Sequence, residues 1–294
     1  MNAKSAIKLA GLVSAATLLA PTVYLGSAPM LAIRRAYGRL WFWLPLLAVA
    51  ATMLAAKAVA PGVCVVVFTV LVGVYAEVEE HGSSLFNAAA VGVLASVGAA
   101  AIGLGGYLLY SKNGLQALAR ELATKVVERI ESLNEGALLA TNDLVQQVPS
   151  FMLASLFVSI WIALLWESRW RRLFRIGEAS LETDERMIQF RVPDLGVWFL
   201  IAAFAGALIK HGNSTLEIVS LNVLNVMAAT YFFQGLAVVA FSFRQMKLGP
   251  VMRMVWFVLL TLYLSFFVSL LGFVDFWLDF RERMARKPVQ TDNR

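Results

Sequence analysis

The residues whose types and spacing could do chemistry are few. Asp275 and Asp279 lie four positions apart near the end of an apolar run, with Arg283 four beyond, so on a helix the three share one face. Two such carboxylates could hold a cation or act as acid and base; the same residues would equally serve as a helix-end cap with surface ion pairs, which are worth little. In the apolar run before them, Asn222 and Asn225 stand one turn apart, while Ser220, Thr230, Tyr231 and Gln234 fall broadly on the opposite half of the wheel. Polar groups on both sides place this helix centrally. Asn222, Asn225, Tyr231 and Gln234 then either line a midplane pocket for a polar ligand or hydrogen-bond to neighbouring helices at about 0.6–2 kcal/mol each.

Other chemistry finds no support. Gly103-Leu104-Gly105-Gly106 lacks the preceding strand that a phosphate-cradling loop needs, and it lies inside an apolar block. The histidines are His81 and His211 and the one cysteine is Cys64, with no ligand spacing among them, so neither a metal nor a cofactor is expected. No base is placed to activate a serine, and an enzyme is not expected. The net charge is +6, from 25 Lys and Arg against 19 Asp and Glu, but without a basic domain or an aromatic platform nucleic acid is not an expected partner.

The elements that must carry these residues follow from composition. Hydrophobic residues make up 60% of the chain and charged residues 15%, against about 45–50% and 25% in soluble domains. The apolar residues come in blocks of the length that crosses about 30 Å of hydrocarbon. The fold class is therefore all-α, a polytopic transmembrane bundle of about eight spans in a lipid bilayer. Blocks are read over 8–33, 40–60, 63–78, 85–110, 151–166, 195–209, 216–243 and 250–274. Residues 112–148 differ: Leu115, Leu118, Leu122, Val126, Ile130 and Leu133 form one stripe among nearly balanced charges, which predicts an amphipathic, non-spanning helix between spans four and five. The resulting domains are 1–110, four spans; 111–149, the amphipathic helix; 150–274, four more spans; and 275–294, a polar tail.

Orientation is not fixed by this count. Eight spans divide the basic residues almost evenly between the two sides, whereas the rule for cytoplasmic loops requires a bias. Arg169, Arg171, Arg172 and Arg175, four Arg in seven residues directly after a span, read as a contact for lipid headgroups or a partner on the cytoplasmic side, with Trp170 and Phe174 at headgroup depth. Either one span is miscounted or one basic cluster is held outside.

The last hundred residues carry Phe190 and Pro193 before a span, the run from Asn222 to Asn225 leading to Tyr231-Phe232-Phe233-Gln234-Gly235-Leu236-Ala237-Val238-Val239, and the terminal Leu271-Gly272-Phe273-Val274-Asp275-Phe276-Trp277-Leu278-Asp279-Phe280-Arg281. In these patches, and in the layout of its spans, the chain resembles the YybS family of bacterial predicted multi-pass membrane proteins, which carries no established activity. That family is in turn distantly similar to the S components of energy-coupling-factor transporters, small helical bundles that bind vitamins or metal ions. In S components a small-residue face of the first helix contacts the coupling subunit, and here Ala6, Ala10 and Ser14 share a face; ordinary helix packing would use the same residues.

The resemblance implies a multi-pass protein of the bacterial inner membrane. Its spans hold few ionisable groups to couple transport, so a small-molecule-binding or transport-associated subunit, its ligand unknown, is expected over a self-sufficient pump. The alternative is a structural or assembly factor that docks a membrane or cytoplasmic protein partner through 112–148 or 169–191.

Overall fold

The computed structural model describes residues 3–22, 24–110, 138–176, 182–208, 214–246 and 248–286, and among them it contains helices and turns and no strand. Among the described residues six helices are long and apolar enough to cross a membrane, or seven when one bent pair is counted as a span, and a shorter apolar helix, Asp194–Leu208, accompanies them. This is the polytopic helical bundle of roughly eight spans that the apolar blocks require. The chain divides into two compact units, Met1–Ser180 and Leu181–Arg294. That division falls within the stretch assigned above to 150–274.

In the first unit, α1 (Ala3–Leu19) continues as a 3-10 turn to Thr22. The expected first span, 8–33, is thus cut: the chain turns at Gly26, where an added Cβ would lie 2.7 Å from the Ala20 backbone, and α2 (Ser27–Ala55) starts. α2 is itself two segments. Gly38, with φ 82° and ψ −177°, adopts a conformation that a side chain would disfavour, and it separates 27–37 from 39–55. The first segment is a half-span, ~16 Å long at 1.5 Å per residue. Every residue from Ser27 to Arg34 is buried, so this half-helix is the core of the unit. Ser27 anchors it by donating from Oγ to the Ser159 carbonyl at 2.8 Å and accepting from Ser159 Oγ at 3.0 Å.

α3 (Val59–Glu80) and α4 (Leu85–Tyr110) follow, and α5 (Leu138–Leu173) ends the unit. Ala88 and Gly92 of the small-residue face of α4 are buried, whereas Gly103 and Gly106 are exposed within the same helix. The stripe from Leu115 to Leu133 lies outside the described residues. The later part of the expected amphipathic segment, from Leu138, is helical and runs without interruption into the fifth span.

The half-helix changes the bookkeeping of sides. Lys8 Nζ donates to the Arg175 carbonyl at 2.8 Å and Tyr37 Oη to the Ser5 carbonyl at 3.4 Å. The start of α1, the Arg34–Arg39 stretch of α2, the last turn of α3 and the end of α5 therefore share one end of the unit. A single span over 8–33 would have put Arg34, Arg35 and Arg39 opposite Lys4 and Lys8. The even division of bases rested on that miscounted span.

The second unit holds α6 (Glu182–Ile188), α7 (Asp194–Leu208), α8 (Ser214–Gln245), α9 (Pro250–Tyr263), α10 (Ser265–Leu278) and α11 (Phe280–Arg286). α8 and α10 meet backbone to backbone at Gly235 and Gly272: a Cβ on Gly235 would strike the Val268 carbonyl, and one on Gly272 would strike the Tyr231 carbonyl and, at 2.6 Å, the Gly235 nitrogen. Such contact is the packing that lipid rewards, since no hydrophobic force separates helix from lipid. α9 and α10, expected as one span from 250 to 274, are bent by 99° at Leu264. α9 leaves most of its apolar surface exposed, Val251 at 75% and Tyr263 at 78%, with Phe257 turned onto Phe243 at 5.5 Å between ring centroids.

Candidate functional site: a carboxylate clasp beside a cleft

Two of the sequence candidates, set apart by 41 positions, are brought together in the second unit. Gln234, 1% exposed, donates from Nε2 to Asp275 Oδ2 at 3.3 Å, and Asp275 is fully buried. The same carboxylate oxygen accepts from Arg281 Nη2 at 2.8 Å, while Oδ1 accepts the Phe280 N–H at 3.1 Å. Asp275 is thus the centre of a clasp. Its oxygens are taken by a guanidinium, an amide and a backbone N–H, an arrangement that holds chain and leaves little capacity for a cation.

The helix geometry explains this. α10 ends at Asp279, whose left-handed conformation (φ 43°, ψ 54°) closes the helix with its N–H on the Asp275 carbonyl. The chain then reverses into α11, which returns Arg281 to Asp275. Asp279 faces elsewhere, paired with Arg191. The two carboxylates share no partner among these contacts, so the reading as a helix-end cap with ion pairs describes their geometry better than a shared cation site.

The clasp fixes a second segment. Arg281 Nη1 donates to the carbonyls of Ile188 at 3.1 Å and Phe190 at 3.0 Å, and the Val192 N–H donates to Gln234 Oε1 at 2.9 Å. Where the helix Glu182–Ile188 ends, the Ile188 and Phe190 carbonyls and the Val192 N–H thus obtain partners from these side chains, while the Gln189 and Phe190 N–H groups bond back to Glu185 and Met187. Beside this segment lies an open cleft of about 350 Å³, lined by Glu185, Ile188 and Gln189 on one wall and by Phe241, Arg244 and Gln245 of α8 on the other. Glu185 Oε1 and Arg244 Nη2 are 3.3 Å apart at its edge, with side chains 60% and 57% exposed.

Tyr231 does not line the cleft. It is 1% exposed, packed edge to face on Phe273 at 5.5 Å, and its hydroxyl is 3.3 Å from where a Cβ on Gly196 would be. Asn222 donates from Nδ2 to the Ile218 carbonyl of its own helix at 2.8 Å, and both Asn222 and Asn225 are half-buried. Neither lines the cleft. Of the residues expected around a pocket, Gln234 supports one from behind.

The first unit holds charged chemistry that the sequence reading did not assemble. Arg35 pairs with Glu79 at 2.8 Å and with Glu167, Glu167 also accepts from Arg171 at 3.3 Å, and Arg34 pairs with Glu80 at 2.7 Å. Tyr75 Oη donates to Glu79 Oε1 at 2.8 Å, and Arg39 Nε and Trp43 Nε1 both reach Glu77 Oε1 at 3.0 Å. The network ties α2, α3 and α5 together at one end. Its signal in the sequence was the adjacency of Arg34-Arg35 and Glu79-Glu80 at block ends, but spacing alone does not tell which ends meet. No group of three or more His, Cys, Asp or Glu that could hold a metal ion occurs among the described residues.

The predicted Arg169–Arg175 cluster divides accordingly. Arg171 turns inward to Glu167 and, through Nε, to the Ile176 carbonyl at 3.3 Å. Arg169, Arg172 and Arg175 are exposed, Arg169 lying 5.6 Å from the Trp166 ring centroid.

No curated protein and no solved structure matches the chain. A family described as "Predicted membrane protein (DUF2232)" matches residues 22–276, a stretch that includes the half-helix, the ionic network, the cleft and Asp275. The chain therefore belongs to the DUF2232 family of predicted membrane proteins.

Proposed function

We propose that this protein is a solute-binding, transport-associated subunit of a bacterial inner membrane, without catalysis of its own, and that the cleft of the second unit is its binding site. The observation that carries this reading is the cleft itself: a carboxylate, a guanidinium and two amides above the apolar surfaces of Ile188 and Phe241. A volume of about 350 Å³ lies within the ordinary range for small-molecule sites. The Glu185–Arg244 pair is exposed, so opening it costs about 0–1 kcal/mol. A solute bearing both an ammonium and a carboxylate, with an apolar body, would replace each partner of the pair with one of its own charges.

The similarity of the last hundred residues to the YybS family, and through it to S components, supports the same reading. So does the shortage of unpaired ionisable groups inside the spans, which would leave the energy for any movement of solute to a partner.

The test is thermal melting of the purified protein in detergent against amino acids, vitamins, metal ions and lipid precursors. A solute present at about 100 times its Kd should stabilise the protein by about 2.7 kcal/mol, and zwitterionic solutes should dominate the hits. A screen in which nothing shifts the melting would contradict the proposal and favour a protein-docking scaffold.

A further inference from the structure

We propose that the shared end of the first unit is a binding surface for anionic phospholipid headgroups, formed by the start of α1 and the end of α5. The inference rests on how the ion pairs sort the charges there. Arg34, Arg35, Arg39 and Arg171 pair with Glu77, Glu79, Glu80 and Glu167, so these charges cancel within the structure. Among the described residues this leaves Lys4, Lys8, Arg169, Arg172 and Arg175 at the same end without an acidic partner. Glu79 and Glu167 are buried in their pairs, Glu77 and Glu80 stay nearer the surface but are matched by Arg39 and Arg34, and the remaining bases are left bare.

The bare bases are built into place. Arg175 occupies the left-handed position after α5 (φ 50°), where glycine is the usual residue, and the turn is closed by Ile176 N–H on the Arg171 carbonyl at 2.9 Å and Arg175 N–H on the Arg172 carbonyl at 3.1 Å. Its own carbonyl receives Lys8 Nζ at 2.8 Å, which fastens α1 to α5. Phe174 reinforces the joint by filling the space above Gly11, where a Cβ would lie 2.7 Å from the ring. Interleaved with these bases along the end of α5 stand Trp166 (39% exposed), half-buried Trp170 stacked on Phe174 at 6.1 Å, and Leu173 (71% exposed).

Guanidiniums interleaved with indole rings, the pairing that suits headgroup depth, present the donors that a phosphodiester accepts, next to an apolar surface that acyl chains cover. A soluble phosphate would have no use for the aromatic and leucine belt; a phospholipid uses both parts. Each base near an anionic surface contributes about fivefold in affinity.

The experiment is native mass spectrometry of the full-length protein in detergent, titrated with dioleoylphosphatidylglycerol or dioleoylphosphatidylcholine. Phosphatidylglycerol should be retained in preference. The triple variant R169Q/R172Q/R175Q should lose affinity on the order of 100-fold, the triple Lys variant should keep it, and K57Q, just beyond the far end of α2, should leave it unchanged. R172Q alone provides a milder variant should the triple change impair folding, with a loss of about fivefold expected. Equal retention of the two lipids, or retention by the Gln variants equal to wild type, would overturn the proposal. Displacement of phosphatidylglycerol by millimolar inorganic phosphate would overturn the lipid as ligand in favour of a soluble anion.

Discussion

Gln234 on α8 and Asp275 on α10 meet at 3.3 Å, and Arg281 donates to the same carboxylate oxygen at 2.8 Å, so that two spans and the entry segment 188–192 are tied at one buried point. Removing Asp275 would strand Arg281, whose side chain is only 11% exposed. Breaking a buried pair in this way costs about 3–5 kcal/mol, much more than replacing both members with apolar residues. Asp275→Leu should therefore destabilise the purified protein by about that amount, and the double change D275L/R281M should recover a large part of it. Chemical unfolding in detergent decides the point; a double variant no more stable than the single would contradict the clasp.

The Gly235–Gly272 crossing makes a separate prediction. Gly235→Ala places a methyl group on the Val268 carbonyl, and the backbone there has no flexible side chain to move aside. A loss of about 1–3 kcal/mol is expected. Gly103→Ala, where an added Cβ meets nothing within 4 Å, should be neutral or slightly stabilising, since alanine is the better helix former. Melting temperatures of the two variants, compared side by side, check this contrast.

Orientation becomes predictable once the half-helix is recognised. With Lys4, Lys8, Arg34, Arg35, Arg39 and the Arg169–Arg175 cluster at one end of the first unit, that end should face the cytoplasm. Arg172→Cys in a Cys64→Ser background should resist an impermeant maleimide applied to intact cells and react after permeabilisation. Labelling of intact cells at that position would reverse the assignment.

These cases mark what could be read from the chain. The apolar blocks gave the helical bundle because span length is a property of composition, and α4 runs from Leu85 to Tyr110 as the pattern predicts. The half-helix was hidden because Gly26 and Gly38 punctuate runs that remain apolar or helical on both sides, so the hydropathy of 8–33 looks continuous. The bend at Leu264 was equally invisible, lying in Tyr263-Leu264-Ser265 with neither proline nor glycine to mark it. Among site residues, Gln234 and Asp275 were each singled out by polarity in an apolar setting. Their meeting depends on the turn at Asp279, and Glu185, Gln189 and Arg244 carry no site signal of their own because charged and amide groups at helix ends are ordinary.

Gln189→Cys in the Cys64→Ser background puts a thiol on the wall of the cleft, and its rate of modification can be followed in the purified protein with and without the solute that gives the largest rise in melting temperature. The cleft reading predicts slower modification at saturating solute, and loss of both the protection and the melting shift when Arg244→Gln or Glu185→Gln is added. A melting shift that persists while the rate of modification stays unchanged would place the solute elsewhere and contradict it.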